Sequence, residues 1–181
     1  MTNTPKKSSG RVGELNDCVS EADSEAIIRW AADSYRNKLV VKTNFGIQSA
    51  VVLHMVSQII PKVPIVFLYS GQLPSQTYDF AQELERRLEL EIFCYIDEPM
   101  EMAMADFQAV AWISEQRQFN TKVETYYDLI EEVDEGTRIS PILNWSNREL
   151  HQYLVKYKLP YHPLWETGYQ SVEYFQQRAT R

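Results

Sequence analysis

Cysteine is scarce in this sequence. The 181 residues include two, Cys18 and Cys94. They form neither a CxxC nor an adjacent pair, so an iron–sulfur cluster and a structural zinc site lack their ligands. Cys94 lies in the apolar run Ile92-Phe93-Cys94-Tyr95 and is expected to be a small buried hydrophobe. Cys18 sits in a polar leader with no neighbouring base or cation run to activate its thiol. A Cys18–Cys94 disulfide is disfavoured in a chain without a secretory signal. The three histidines, His54, His151 and His162, have no metal-like spacing. Neither metal nor cofactor is expected. Glycine is also sparse, and neither GxxxxGK[ST] nor GxGxxG occurs. No apolar run approaches the ~20 residues that cross a bilayer. Basic residues are outnumbered, and the net charge of -7 argues against a general nucleic-acid binder.

What is present suits one globular domain. Hydrophobic residues make up 44% of the chain, enough to bury a real core. Residues 1–19 read as a flexible polar tail and 20–181 as a single domain. A cytoplasmic location is expected. Ile27, Ile28, Trp30, Ala31 and Tyr35 recur at helical spacing after a capping-box start at Ser20 and Asp23. Strands are expected at 39–42, 64–68, 90–95 and 109–113, and helices at 49–60, 75–89 and 99–107. Residues 129–139 read as a hairpin with its turn at 134–136. Ser146 and Glu149 form a capping box for a helix reaching about Tyr157. His54 and His151 fall on helices as packing or surface residues. The alternation of strand and helix predicts an α/β fold, a doubly wound, mostly parallel sheet flanked by helices. In such sheets ligands bind beyond the carboxyl ends of the strands. The loops at 43–48 and 70–74 fall on that rim.

The first of these loops can hold an anion. A strand, a small-residue turn and a helix start bring backbone N–H groups and the positive helix end to one point. Thr43, Asn44, Gln48 and Ser49 add side-chain donors, and Gly46 permits close approach of a ligand. A purely structural turn uses the same residue types.

The run Asn44-Phe45-Gly46-Ile47-Gln48-Ser49-Ala50-Val51 resembles the Ser-Phe-Gly-Ile-Gln-Ser-Ala-Val loop of the sulfonucleotide (PAPS and APS) reductases. Four more stretches follow in that family's order. Leu68-Tyr69-Ser70-Gly71-Gln72-Leu73-Pro74-Ser75-Gln76-Thr77-Tyr78 is similar to Asp-Thr-Gly-Tyr-Leu-Pro-x-Glu-Thr-Tyr. Trp112-Ile113-Ser114-Glu115-Gln116-Arg117-Gln118 is similar to Trp-Phe-x-Gly-Leu-Arg-Arg. Leu143-Asn144-Trp145-Ser146-Asn147-Arg148 and Tyr161-His162-Pro163-Leu164-Trp165-Glu166-Thr167-Gly168-Tyr169 complete the set. The resemblance implies an adenine nucleotide alpha-hydrolase-like fold. It implies a nucleotide site, vestigial or retained, at Thr43, Asn44, Gly46, Gln48, Ser49, Gly71 and Arg117. Arg117 reads equally as a solvated surface arginine. His162 is expected to be structural. The Ser-Gly-Gly-x-Asp-Ser loop of ATP-cleaving relatives is absent, which disfavours that chemistry.

The chain also departs from the family. Tyr69 and Gln76 replace acids, Glu115 replaces a glycine and Gln118 replaces an arginine. The link between Tyr95 and Pro99 is short. No Glu-Cys-Gly-x-His motif occurs up to Arg181, whereas family reduction needs a thiolate that attacks sulfur. The leading expectation is therefore a catalytically inactive relative, with no catalytic residues, serving as a binding or structural subunit of a larger complex. Trp165, Tyr169, Tyr174, Phe175 and Arg178 are its candidate contacts with a protein partner. One alternative is an adenylyl-nucleotide sensor or carrier. Another is a reductase completed by a partner chain.

Overall fold

The computed structural model describes residues 21–71, 73–118 and 128–165. Helix α1 (Glu21–Tyr35) leads through a short 3-10 turn (Arg36–Lys38) into strand β1 (Leu39–Thr43). Ser20, its expected cap, lies outside the described residues. There follow α2 (Ser49–Ile59), β2 (Ile65–Tyr69), α3 (Ser75–Leu88), β3 (Ile92–Ile96), α4 (Met100–Asp106) and β4 (Ala111–Ser114). The hairpin β5 (Ile130–Val133) and β6 (Gly136–Ile139) precedes α5 (Asn147–Lys156). The expected elements are all found, with ends shifted by one or two residues.

Among the described residues the sheet has six strands, in the order β3-β2-β1-β4-β6-β5. Every neighbouring pair is parallel except β5 and β6. The chain winds outward from β1 through β2 to β3, then returns to place β4 on the other side of β1. This reversal makes the crevice between the carboxyl ends of β1 and β4 the topological switch point.

Alternation along the strands divides the core between two faces. Leu39, Val41, Ile65, Phe67, Ala111, Ile113 and Ile139 pack with α1, α2, α3 and α5. Val40, Val66 and Trp112 face the other way, against Met100, Ala103 and Met104 of α4. Helix α2 is apolar nearly throughout and is buried from Ser49 to Leu53. That burial anchors the helix whose first turn borders the switch point.

Local rules set the remaining joints. Ser146 Oγ accepts from Glu149 N–H at 3.3 Å, and Glu149 Oε2 accepts from Ser146 N–H at 2.6 Å, closing the expected capping box. Gly136 opens β6 with φ of +138°. A Cβ there would stand 2.5 Å from the Val110 carbonyl oxygen, which accepts from Thr137 N–H. Only glycine fits that approach.

The expected burial of Cys94 is corrected. Cys94 is exposed, because among the described residues β3 is an edge strand paired only with β2. The run around it is apolar, but the sheet ends there. Partial burial and then the Glu85 carboxylate push its thiol above the ordinary range, which disfavours the thiolate.

Candidate functional site

The loop after β1 is built around its own side chains. Thr43 Oγ1 accepts from Phe45 N–H at 3.0 Å, and Asn44 Oδ1 accepts from Gly46 N–H at 3.0 Å. These two turns fold the backbone tightly between β1 and α2. Phe45 has φ of +50° and is fully buried, its ring edge-on to Phe67 at 4.7 Å. A left-handed phenylalanine is costly, and packing of the ring holds it in place. Gln48 and Ser49 are both buried where α2 begins.

Across the switch point, the segment leaving β4 brings Glu115 to this loop. Ser49 Oγ donates to Glu115 Oε2 at 2.7 Å. Glu115 is 5% exposed. Burial pushes its carboxyl up to about 7, against the pull of the Thr43 and Ser49 hydroxyls, the Asn44 N–H and the Lys42 charge. Those groups favour the carboxylate without completing a bond to Oε1. Among the described residues, Glu115 Oε1 and Gln48 Oε1 are buried acceptors with no hydrogen-bond donor. In the sequence, Glu115 stands out only as an acid in place of the family's glycine. Its membership of the loop was missed, since 66 residues separate it from Ser49. An acid in place of glycine in an otherwise matching motif was the available signal.

The loop after β2 lies beside the first. Tyr69 lies tilted against Phe67, ring centres 4.6 Å apart, and meets Tyr78 edge-on at 6.1 Å. A hydrogen bond with Tyr78, followed by burial, pushes its phenol up to about 12. Gly71 takes φ of +67° in open space, and its N–H donates to Asp97 Oδ1 at 3.0 Å. Asp97 N–H in turn donates to the Tyr69 carbonyl at 3.0 Å. Asp97, in the short link after β3, thus clasps this loop and was also missed. Gln72 lies outside the described residues. Among the described residues, no three His, Cys, Asp or Glu side chains cluster to hold a metal ion.

The wound sheet and these loops agree with a match to the phosphoadenosine phosphosulfate reductase domain over residues 38–98 and 93–173. The chain belongs to that family. A phosphoadenosine 5'-phosphosulfate reductase of Synechococcus is 34% identical over 88% of this chain and 82% of its own length. One from Synechocystis is 31% identical over 85% and 75%. The crystal structure of the Candida auris PAPS reductase, in a phosphate complex, superposes with a TM-score of 0.73. It is 21% identical, covering 94% of this chain and 97% of that one. Candida glabrata FMN adenylyltransferase, in complex with ATP, superposes at 0.64 with 16% identity, covering 90% and 68%. The last two likenesses speak for the fold.

The family result corrects the leading functional expectation. Relatives 29–34% identical over most of the chain bear the name of reductases, so a catalytically inactive structural subunit is not supported. The substitutions that suggested it leave the architecture in place. Asn44, in the family's serine position, still fastens Gly46, and Tyr69 is carried on the same strand end.

Arg117 differs from one of its two expected roles. It is 5% exposed, so it is not a solvated surface residue. Its Nη1 donates to the Trp145 carbonyl at 3.1 Å and its Nη2 to Asn147 Oδ1 at 2.8 Å. It thereby ties the segment after β4 to the start of α5, alongside Gln118 N–H to Leu143 carbonyl at 2.7 Å. His162 is 1% exposed. Its Nδ1 accepts from Leu164 N–H at 3.2 Å, so Nε2 carries the proton toward Thr77 Oγ1 at 3.2 Å. Burial pushes this imidazole down to about 4, which keeps it neutral. His54 is half-buried with Nδ1 2.8 Å from the Tyr153 hydroxyl, while His151 is exposed. Trp165 packs against the main core and edge-on to Tyr161 at 6.1 Å. Tyr169, Tyr174, Phe175 and Arg178 lie outside the described residues. Among the described residues no helix is long and apolar enough to cross a membrane.

Proposed function

We propose that this chain is the nucleotide-binding unit of an active phosphoadenylyl-sulfate reductase. The observation that carries the reading is the loop from Thr43 to Ser49, which opens α2 at the switch point between β1 and β4. There the helix N-terminus favours the negative oxygens of a nucleotide's phosphate or sulfo end. Gly46, Gln48 and Ser49 shape that end of the cleft. Gly71 and Asp97 shape the neighbouring rim, with Tyr69 and Tyr78 as an aromatic wall. Arg117 acts by holding the β4 segment in position.

In the reaction a thiolate attacks the sulfur of the sulfo group. The new S–S bond forms as the S–O bond breaks, and the bisphosphate nucleotide leaves with the bonding electron pair. A dithiol then releases sulfite and becomes a disulfide. Cys94 is a poor candidate for the attacking thiolate, being on the edge strand with its thiol pushed up. We assign that role to a thiol outside the described residues, such as one from a partner chain.

The first test is calorimetric titration of the purified chain with adenosine 3',5'-bisphosphate, with AMP for comparison. Micromolar binding that weakens in Gln48→Ala supports the reading. Sulfite release from the sulfonucleotide, in the presence of thioredoxin and candidate partner chains, completes it. Nucleotide binding without sulfite release from any combination points instead to a sensor or carrier. Absence of binding rejects the site.

A further inference from the structure

We propose that Glu115 makes the loop after β1 a proton-linked anion site, one that accepts an oxyanion only with a proton held between the two. The site then prefers a protonatable phosphate to a sulfate near neutral pH. This inference rests on the reading that the loop binds an oxyanion.

The Glu115 carboxyl lies against the first residue of α2, beside the helix start to which the proposed function assigns the anion. At the start of α2 the proton of the Ser49 hydroxyl is already given to the Glu115 carboxylate. Two acceptors more than nine-tenths buried, Glu115 Oε1 and Gln48 Oε1, are without donors among the described residues. A fully ionised oxyanion brings further acceptors and no donor. Set against an ionised Glu115, it would add like-charge repulsion in a low-dielectric corner. One shared proton removes that repulsion and supplies the missing donor.

Other charged groups do not replace that proton. Lys42 on β1 favours the carboxylate, but it is already part of the balance. Arg117, two residues beyond, directs its terminal nitrogens to Trp145 and Asn147. Among the described residues, the remaining groups facing Glu115 are the Thr43 and Ser49 hydroxyls and the Asn44 N–H. Burial keeps Glu115 protonatable close to neutral pH, so the proton can come from the protein. It can also come from the ligand. A phosphate monoester has its second pKa near ~6, and hydrogen phosphate retains one proton throughout the neutral range, whereas sulfate has none to offer.

The experiment measures binding of inorganic phosphate and inorganic sulfate to the full chain at pH 6 and pH 8. It includes Glu115→Gln, whose amide can donate, and Glu115→Gly. Wild type is expected to favour phosphate by about tenfold or more at pH 8. Above Glu115's titration, sulfate affinity should rise by roughly tenfold for each unit the pH is lowered, with uptake of one proton, and it should level off below that titration. The gap between the anions should close in Glu115→Gln, and the pH slope should vanish. Equal slopes for both anions in wild type, or a slope that survives in Glu115→Gln, would overturn the inference while leaving the loop an anion site. Binding of neither anion, to wild type at pH 6 or to Glu115→Gly, would overturn the anion-site reading itself and this inference with it.

Discussion

The Ser49 hydroxyl donates to Glu115 Oε2 at 2.7 Å, joining the first turn of α2 to the end of β4 across the switch point. The contact places an acid against the loop that opens α2. It makes the charge on Glu115 a determinant of both stability and binding.

Glu115 should therefore destabilise the fold as it ionises. Folded Glu115 keeps its proton up to about 7, while the unfolded side chain releases it near 4.5. Between these values the folded state binds more protons, so this contribution is full below 4.5 and is lost as pH rises to 7. Glu115→Gln should be more stable than wild type at pH 8, by roughly 2–3 kcal/mol relative to their difference at pH 4.5. Urea unfolding at the two pH values reads this directly. An unchanged difference would mean that Glu115 is charged and satisfied in the folded protein.

His162 should act with the opposite sign. Folded His162 resists protonation down to about 4, while the unfolded imidazole accepts a proton near 6.5. The unfolded state binds more protons in this window, so stability is full above 6.5 and falls as pH drops toward 4. The loss is at most about 3 kcal/mol. His162→Gln should remove this slope. Measuring both variants separates two contributions that oppose each other in wild type between 4.5 and 6.5.

Replacing Arg117 should destabilise the junction of β4 and α5. Arg117→Met removes the donors to the Trp145 carbonyl and Asn147 Oδ1, an expected cost of about 2–3 kcal/mol. Arg117→Lys should recover little, because one ammonium cannot reproduce the planar fork. Thermal unfolding of the pair checks this. Full recovery by lysine would show that charge alone matters there.

Gly136 and Gly71 offer an internal contrast. Both have positive φ, but a Cβ at Gly136 would lie 2.5 Å from the Val110 carbonyl oxygen, and one at Gly71 would meet nothing within 4 Å. Gly136→Ala should cost more than about 2 kcal/mol, and Gly71→Ala only about 1 kcal/mol. Equal shifts of the urea midpoint would refute the steric account.

The sequence by itself determined the secondary structure, the parallel sheet and the family, because these depend on local signals. The apolar run 64–68 needs cover on both sides, Ser146 and Glu149 lie three residues apart, and the motifs are contiguous. The loop from Thr43 to Ser49 was legible as a possible site for the same reason. The tertiary structure decided what surrounds that loop. Strand order sets β4 beside β1, and only then does Glu115 meet Ser49. The same order leaves Cys94 on an edge and exposed, despite its apolar neighbours. Arg117 is buried because its partners arrive with α5, some thirty residues later. Burial and charge state depend on what packs from distant parts of the chain, and spacing along one segment does not encode that.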